Sequence, residues 1–217
     1  MIKKIFISFI VFLFCGCSLF ETSNEMNRNA EELVSEGSSA FLDKDYKTAI
    51  KAYTNLKDWY PFSKYAGLAE LKIADSHFYL EEYDEAIPAY EEFEKLHPKN
   101  EAVPYVIYQI GLSWFKQLGT VDRDNTPALN SLTQFNRLKD QFPQSEYTQK
   151  AAEHIAKCTA NLVGHELYVA NFYMRTKKYA AALKRYEDIV EKYPDSKESK
   201  EALAKMPECK ALADKEK

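Results

Sequence analysis

The chain has 217 residues, 46% apolar and 29% charged, room for one or two soluble domains; six glycines and eight prolines are too few for a loop-rich β-sandwich or a disordered chain. Lys+Arg number 29 against 33 Asp+Glu, a net charge of −4, so the basic clusters that neutralise nucleic-acid phosphates are missing. Aromatics at 14%, with only four histidines and four cysteines, point to a helical interaction protein rather than a metal enzyme.

Met1-Ile-Lys-Lys4 is a short positive segment, and Ile5 to Phe14 is an apolar run of ten residues. That run is half of the roughly 20 residues a spanning helix needs, so it reads as an export signal. Phe14-Cys15-Gly16-Cys17-Ser18 follows, a small residue directly before a cysteine, and resembles the bacterial lipobox. The resemblance implies removal of residues 1–16, a diacylglyceryl group on the Cys17 thiol and an acyl chain on its amine. No other cofactor is expected. Ser18 rather than Asp after the cysteine implies the outer membrane, facing the periplasm of a Gram-negative cell. Loss of Lys3 and Lys4 leaves 27 basic against 33 acidic residues, a net −6. Residues 17–28 read as a polar tether that reaches at most about 40 Å when extended.

The body, 29–217, carries an internal repeat. Ala49, Tyr53, Leu56 and Pro61 are matched by Ala86, Tyr90, Phe93 and Pro98, then by Ser131, Phe135, Leu138 and Pro143, and by Ala182, Tyr186, Ile189 and Pro194. A small residue lets two helices approach, an aromatic one turn later fills the groove beside it, and the proline stops the helix. Gly37, Ala74, Gly111 and Ala170 supply the small residue on the preceding helix. This frame resembles the tetratricopeptide repeat, which implies an all-α, right-handed solenoid of antiparallel helix pairs. The repeats run over about 30–63, 67–100, 104–143 and 146–194, with a capping helix at 196–215 that Pro207 is expected to break.

The prolines are spaced 37, 45 and 51 residues apart. The third repeat absorbs eight extra residues at 119–126, after which Thr126-Pro127 reads as N-cap and first helical residue. The fourth is lengthened in front: Tyr147, Ala151, Ile155, Cys158, Leu162, Val169 and Tyr173 form one stripe over a helix 146–176, with Gly164 a candidate bend. Pro88 is expected to kink its helix.

Trp59-Tyr-Pro-Phe62 with Lys64-Tyr65, Val103-Pro-Tyr-Val-Ile-Tyr108, Asp122-Arg123-Asp124, Phe142-Pro-Gln-Ser-Glu-Tyr147 and His165-Glu166-Leu-Tyr-Val169 resemble the BamD family, lipoproteins of outer-membrane β-barrel assembly. The similarity runs from residue 17 to about 208. It implies a scaffold that binds the POTRA domain of BamA through its later repeats and receives unfolded outer-membrane proteins on its earlier ones. Other lipoproteins of the same complex are further candidate partners. Arg185 matches the family's basic residue at the POTRA contact, and Asp122, Arg123 and Asp124 are candidate partner contacts. The family often carries a complete fifth repeat where this sequence stops. The alternative reading is another periplasmic repeat adaptor, a Tol–Pal-associated coordinator or a secretin pilotin.

In the repeat frame the first helices present Phe41, Leu71, Asp75, Phe78, Tyr79, Tyr105, Tyr108 and Phe115, an aromatic face suited to an extended apolar peptide. Leu167 and Asn171 occupy matching positions. Catalysis is not expected: His165-Glu166 lacks the second histidine of a zinc-binding H-E-x-x-H, and His77, His97 and His154 have no ligand spacing. Cys158 and Cys209 are expected to be two buried thiols rather than a bridge, because they fall at different heights of the array.

Overall fold

The computed structural model describes residues 28–215; the expected signal peptide at 1–16, the expected lipidation site Cys17 and the expected tether up to residue 27 lie outside them. Among the described residues there are nine helices and no strand: α1 (Ala30–Leu42), α2 (Tyr46–Trp59), α3 (Ala66–Tyr79), α4 (Tyr83–Leu96), α5 (Val103–Lys116), α6 (Thr126–Gln141), α7 (Glu146–Arg175), α8 (Tyr179–Lys192) and α9 (Lys197–Ala213). They divide into two compact units, one up to Ser76 and one from His77, so the division falls inside α3.

In the first unit α1 opens on a capping box. The Asn29 side chain accepts the amides of Glu31 and Glu32, and the Glu32 carboxylate accepts the Asn29 amide. Leu33, Ala40, Ala49, Tyr53, Leu56 and Ala69 form the core of α1, α2 and the start of α3. Gly37 is required here: a Cβ on it would stand 2.8 Å from the Tyr53 ring.

In the second unit each helix from α4 to α9 packs on the next, and α7 also reaches α5 and α9. That reach follows from its 30 residues, about 45 Å of helix. Two cores form. One joins Val103, Ile107, Phe135, Leu138 and Ala151, the other Val163, Leu167, Ala170, Ala182, Tyr186, Ile189, Ala202 and Cys209.

The repeat is visible in the backbone. Tyr60, His97, Phe142 and Tyr193, each before a proline, cap their helices with φ between −126° and −135° and ψ between 52° and 59°. The proline ring excludes the helical region at the residue before it, so every second helix ends in the same conformation. Between paired helices the chain turns through Lys44, Glu81 and Lys177, all left-handed at φ near 60°.

Two local expectations change, and Gly164 gains a packing reason. The cap of α6 is Asn125 rather than Thr126, because Asp124 Oδ1 accepts both the amide and the hydroxyl of Thr126 and sets the turn one residue earlier. Pro207 does not break α9, which continues to Ala213; Ala202 on one side of it and Cys209 and Ala213 on the other are buried and hold both halves. Gly164 serves a close approach: its missing Cβ makes room for Val121, whose Cγ1 would lie 2.8 Å away. Among the described residues no helix is long and apolar enough to cross a membrane.

Candidate interaction surfaces

In the first unit Phe41 and Leu71 are half-buried. Phe41 meets Tyr46 edge-on at 5.4 Å, and the Lys72 ammonium lies 4.3 Å from its ring centroid. Asp75 is only 2% exposed and takes the same Lys72 ammonium at 2.9 Å. It is therefore not a surface acceptor for a peptide backbone, as the repeat frame suggests; it holds Lys72 over Phe41. Leu68, at the start of α3, is 41% exposed and Phe62 is 100% exposed.

In the second unit Phe78 packs against Tyr83 at 5.6 Å while Tyr79 stays half in solvent. Tyr105, Tyr108 and Phe115 do not form an open face. Tyr105 meets Tyr90 and Tyr147; Tyr108 meets Phe135, Tyr147 and His154; the Phe115 ring lies tilted against His154, 4.5 Å between centroids. The front of the long α7 covers this side of α5, which the repeat frame alone does not anticipate. His154 sits between Phe115 and Phe135 with Nε2 3.3 Å from the Tyr108 hydroxyl, and burial pushes its pKa down. Leu167, at a position expected to be open, is buried in the α7–α8 core. Asn171 accepts the Tyr186 hydroxyl and the Lys205 ammonium, each at 2.8 Å, and burial pushes the Tyr186 phenol up to about 12.

The loop between α5 and α6 is fastened to α7. Asn161 Nδ2 donates to the Gly119 carbonyl at 2.9 Å, and His165 Nδ1 lies 2.8 Å from the Val121 carbonyl. Asp122, Arg123 and Asp124 are exposed on this fixed platform. Hydrogen bonds from Thr120 to Asp122 and from Thr126 to Asp124 hold both carboxyls below the usual carboxylate range.

Arg185 on α8 is ion-paired with Glu166 on α7, both partly exposed, beside a cavity of about 120 Å³ that Asp188 and Lys192 also line. A larger groove of about 640 Å³ opens beside the α8–α9 turn, floored by Ala156, Ala160 and Val163 of α7 and closed by Tyr193 and Pro194. Tyr168 and Phe172, one turn apart on α7, are 40% and 45% exposed. Neither the groove nor this pair follows from the repeat frame, although two aromatics at i, i+4 outside the repeat's core positions are a signal legible in the sequence. Among the described residues no three His, Cys, Asp or Glu side chains converge as a metal site. Cys158 and Cys209 are free and buried, donating to Ser131 Oγ and the Tyr179 carbonyl.

Residues 26–216 match the family described as outer membrane lipoprotein (YfiO). Among relatives, the outer membrane protein assembly factor BamD of Rickettsia prowazekii is 28% identical over 193 residues, 89% of this chain and 77% of that one. The assembly factor of the same name from Neisseria meningitidis serogroup A is 30% identical over 81% of this chain and 70% of its own length. A solved structure of the TPR2AB domain of yeast Sti1 in complex with pHSP90 aligns at 15% identity over 86% of this chain and 75% of that one, with a TM-score of 0.48. With the match spanning every described helix, the chain belongs to the YfiO (BamD) family of outer membrane lipoproteins.

Proposed function

We propose that the protein is a non-catalytic scaffold of outer-membrane protein assembly, tethered by acyl chains on Cys17 to the periplasmic face of the outer membrane. The observation that carries this reading is the family match over residues 26–216, joined to the assembly role named for the relatives. Two or three acyl chains anchor stably where one is marginal.

In this reading the later repeats hold the POTRA domain of BamA. Arg185 already has a carboxylate partner in Glu166, so a POTRA carboxylate can replace Glu166 without leaving a buried charge unpaired. Asp122, Arg123 and Asp124 offer both signs of charge from a loop that α7 holds in place. Unfolded barrel proteins engage the apolar residues that remain accessible, Phe41 and Leu71 in the first unit and Tyr79 in the second. A crosslinked pull-down of the tagged, lipidated protein tests the reading. Recovery of a POTRA-bearing barrel protein, lost in Arg185→Glu, supports it; recovery of Tol–Pal components alone overturns it.

A further inference from the structure

The turn between α2 and α3 presents an apolar tip with no structural task. Its inner side is anchored: Tyr60 and Tyr65 pack on the first-unit core, and the turn is closed by the Ser63 amide on the Tyr60 carbonyl at 2.9 Å and the Ala66 amide on the Ser63 carbonyl at 3.0 Å. With both tyrosines turned inward, Phe62 between them is 100% exposed, flanked by Trp59 at 38% and Leu68 at 41%. Scattered exposed leucines need no explanation, but a fully solvated phenylalanine beside a tryptophan, on a turn its own backbone holds, does.

The place where the tether meets the body supplies the explanation. The Tyr60 hydroxyl donates to the Arg28 carbonyl at 2.9 Å, and Arg28 is further held by Glu36. The first described residue is thereby fixed to the same turn that carries Phe62. Cys17 lies eleven residues upstream, so a lipid there keeps the turn within about 40 Å of the bilayer surface whatever path the tether takes. At such confinement a weak surface contact is populated, because the second binding event is intramolecular. Tryptophan and phenylalanine are the side chains that favour the lipid–water interface, and Lys57 and Lys64 flank them, with Asp58 the only acid between Lys57 and Lys64.

We infer that the α2–α3 turn is a membrane-contact site, with Phe62 and Trp59 inserting into the headgroup region of the bilayer that holds the lipid anchor. The inference rests on acylation of Cys17. It orients the first unit relative to the membrane and leaves its other faces to protein partners.

The test uses the full mature protein in vesicles of phosphatidylethanolamine and phosphatidylglycerol whose acyl chains are either ordinary or brominated. Bromine quenches tryptophan only in contact, and the chain has two tryptophans, Trp59 and Trp114. Brominated vesicles are expected to quench the emission, Trp59→Phe to abolish the quenching, and Phe62→Ser to reduce it several-fold. Mass spectrometry of the amino-terminal peptide separates the two claims. Acylated protein without quenching, quenching that persists in Trp59→Phe, or quenching undiminished in Phe62→Ser overturns the membrane contact while leaving the anchor. An unacylated Cys17 overturns the anchor and the contact with it.

Discussion

The ring of Phe135 lies where a side chain on Gly111 would have to be: a Cβ on that glycine would meet Phe135 Cε1 at 2.7 Å. Gly37 and Tyr53 repeat the relationship in the first unit at 2.8 Å. Glycine inside a helix costs about 1 kcal/mol relative to alanine, so its presence at the middle of α5 has to be offset by the packing it allows. Phe135 is fully buried and cannot swing aside. Gly111→Ala is therefore expected to destabilise by roughly 1–3 kcal/mol despite its better helix propensity, read as a lower urea midpoint at unchanged slope. A midpoint equal to wild type would mean that α5 and α6 do not cross here.

Lys177, by contrast, is a position where glycine should help. Its φ of 60° places a side chain in the left-handed region, which costs about 1 kcal/mol for a residue with a Cβ. Lys177→Gly relieves that strain and enlarges the unfolded ensemble by less. The expected result is a gain of about 0.5 kcal/mol and a slightly higher melting temperature. A loss would show that the Lys177 side chain has a partner that outweighs the backbone.

The cage around His154 predicts an acid-sensitive core. Burial lowers its pKa below 6.5, opposed by Glu153 and reinforced by Lys157 and Lys116. The unfolded chain then takes up the proton first, so stability is full above pH 6.5 and declines as pH falls below it. His154→Phe keeps a ring between Phe115 and Phe135 and removes the titration. From pH 7.5 to 5 the melting temperature of wild type should fall relative to that of His154→Phe. Parallel curves would exclude His154 as the titrating group.

Tyr186 sets the other limb. Its phenol, pushed up from 10 to about 12, favours the folded state below pH 10 and loses that advantage as pH rises towards 12. Tyr186→Phe should flatten the decline in stability between these values, while Lys205 continues to serve Asn171. An unchanged alkaline limb would assign it to other groups.

Burial raises the thiol pKa of both Cys158 and Cys209, so each is expected to resist alkylation at pH 8 in the folded protein. In the denatured, unreduced protein two labels are expected. None, followed by two after reduction, would show that the thiols had paired.

Helix pairs were legible in the chain because the repeat is a local code. A small residue, an aromatic four positions on and a proline at the end act within one helix and its neighbour, and Ala49, Tyr53 and Pro61 carry the same instructions as Ala182, Tyr186 and Pro194. The family was legible for the same reason: its motifs are contiguous. What the frame could not assign is which side of each helix remains open. Tyr105, Tyr108 and Phe115 occupy positions that a plain repeat exposes, yet they are half-buried because the front of α7, which is 30 residues long where most of the other helices have 14, covers them. Asp75 likewise reads as a surface acceptor until Lys72 and the surrounding burial close over it. Spacing along a helix determines which residues share a face; only packing from elements distant in sequence determines whether that face meets solvent.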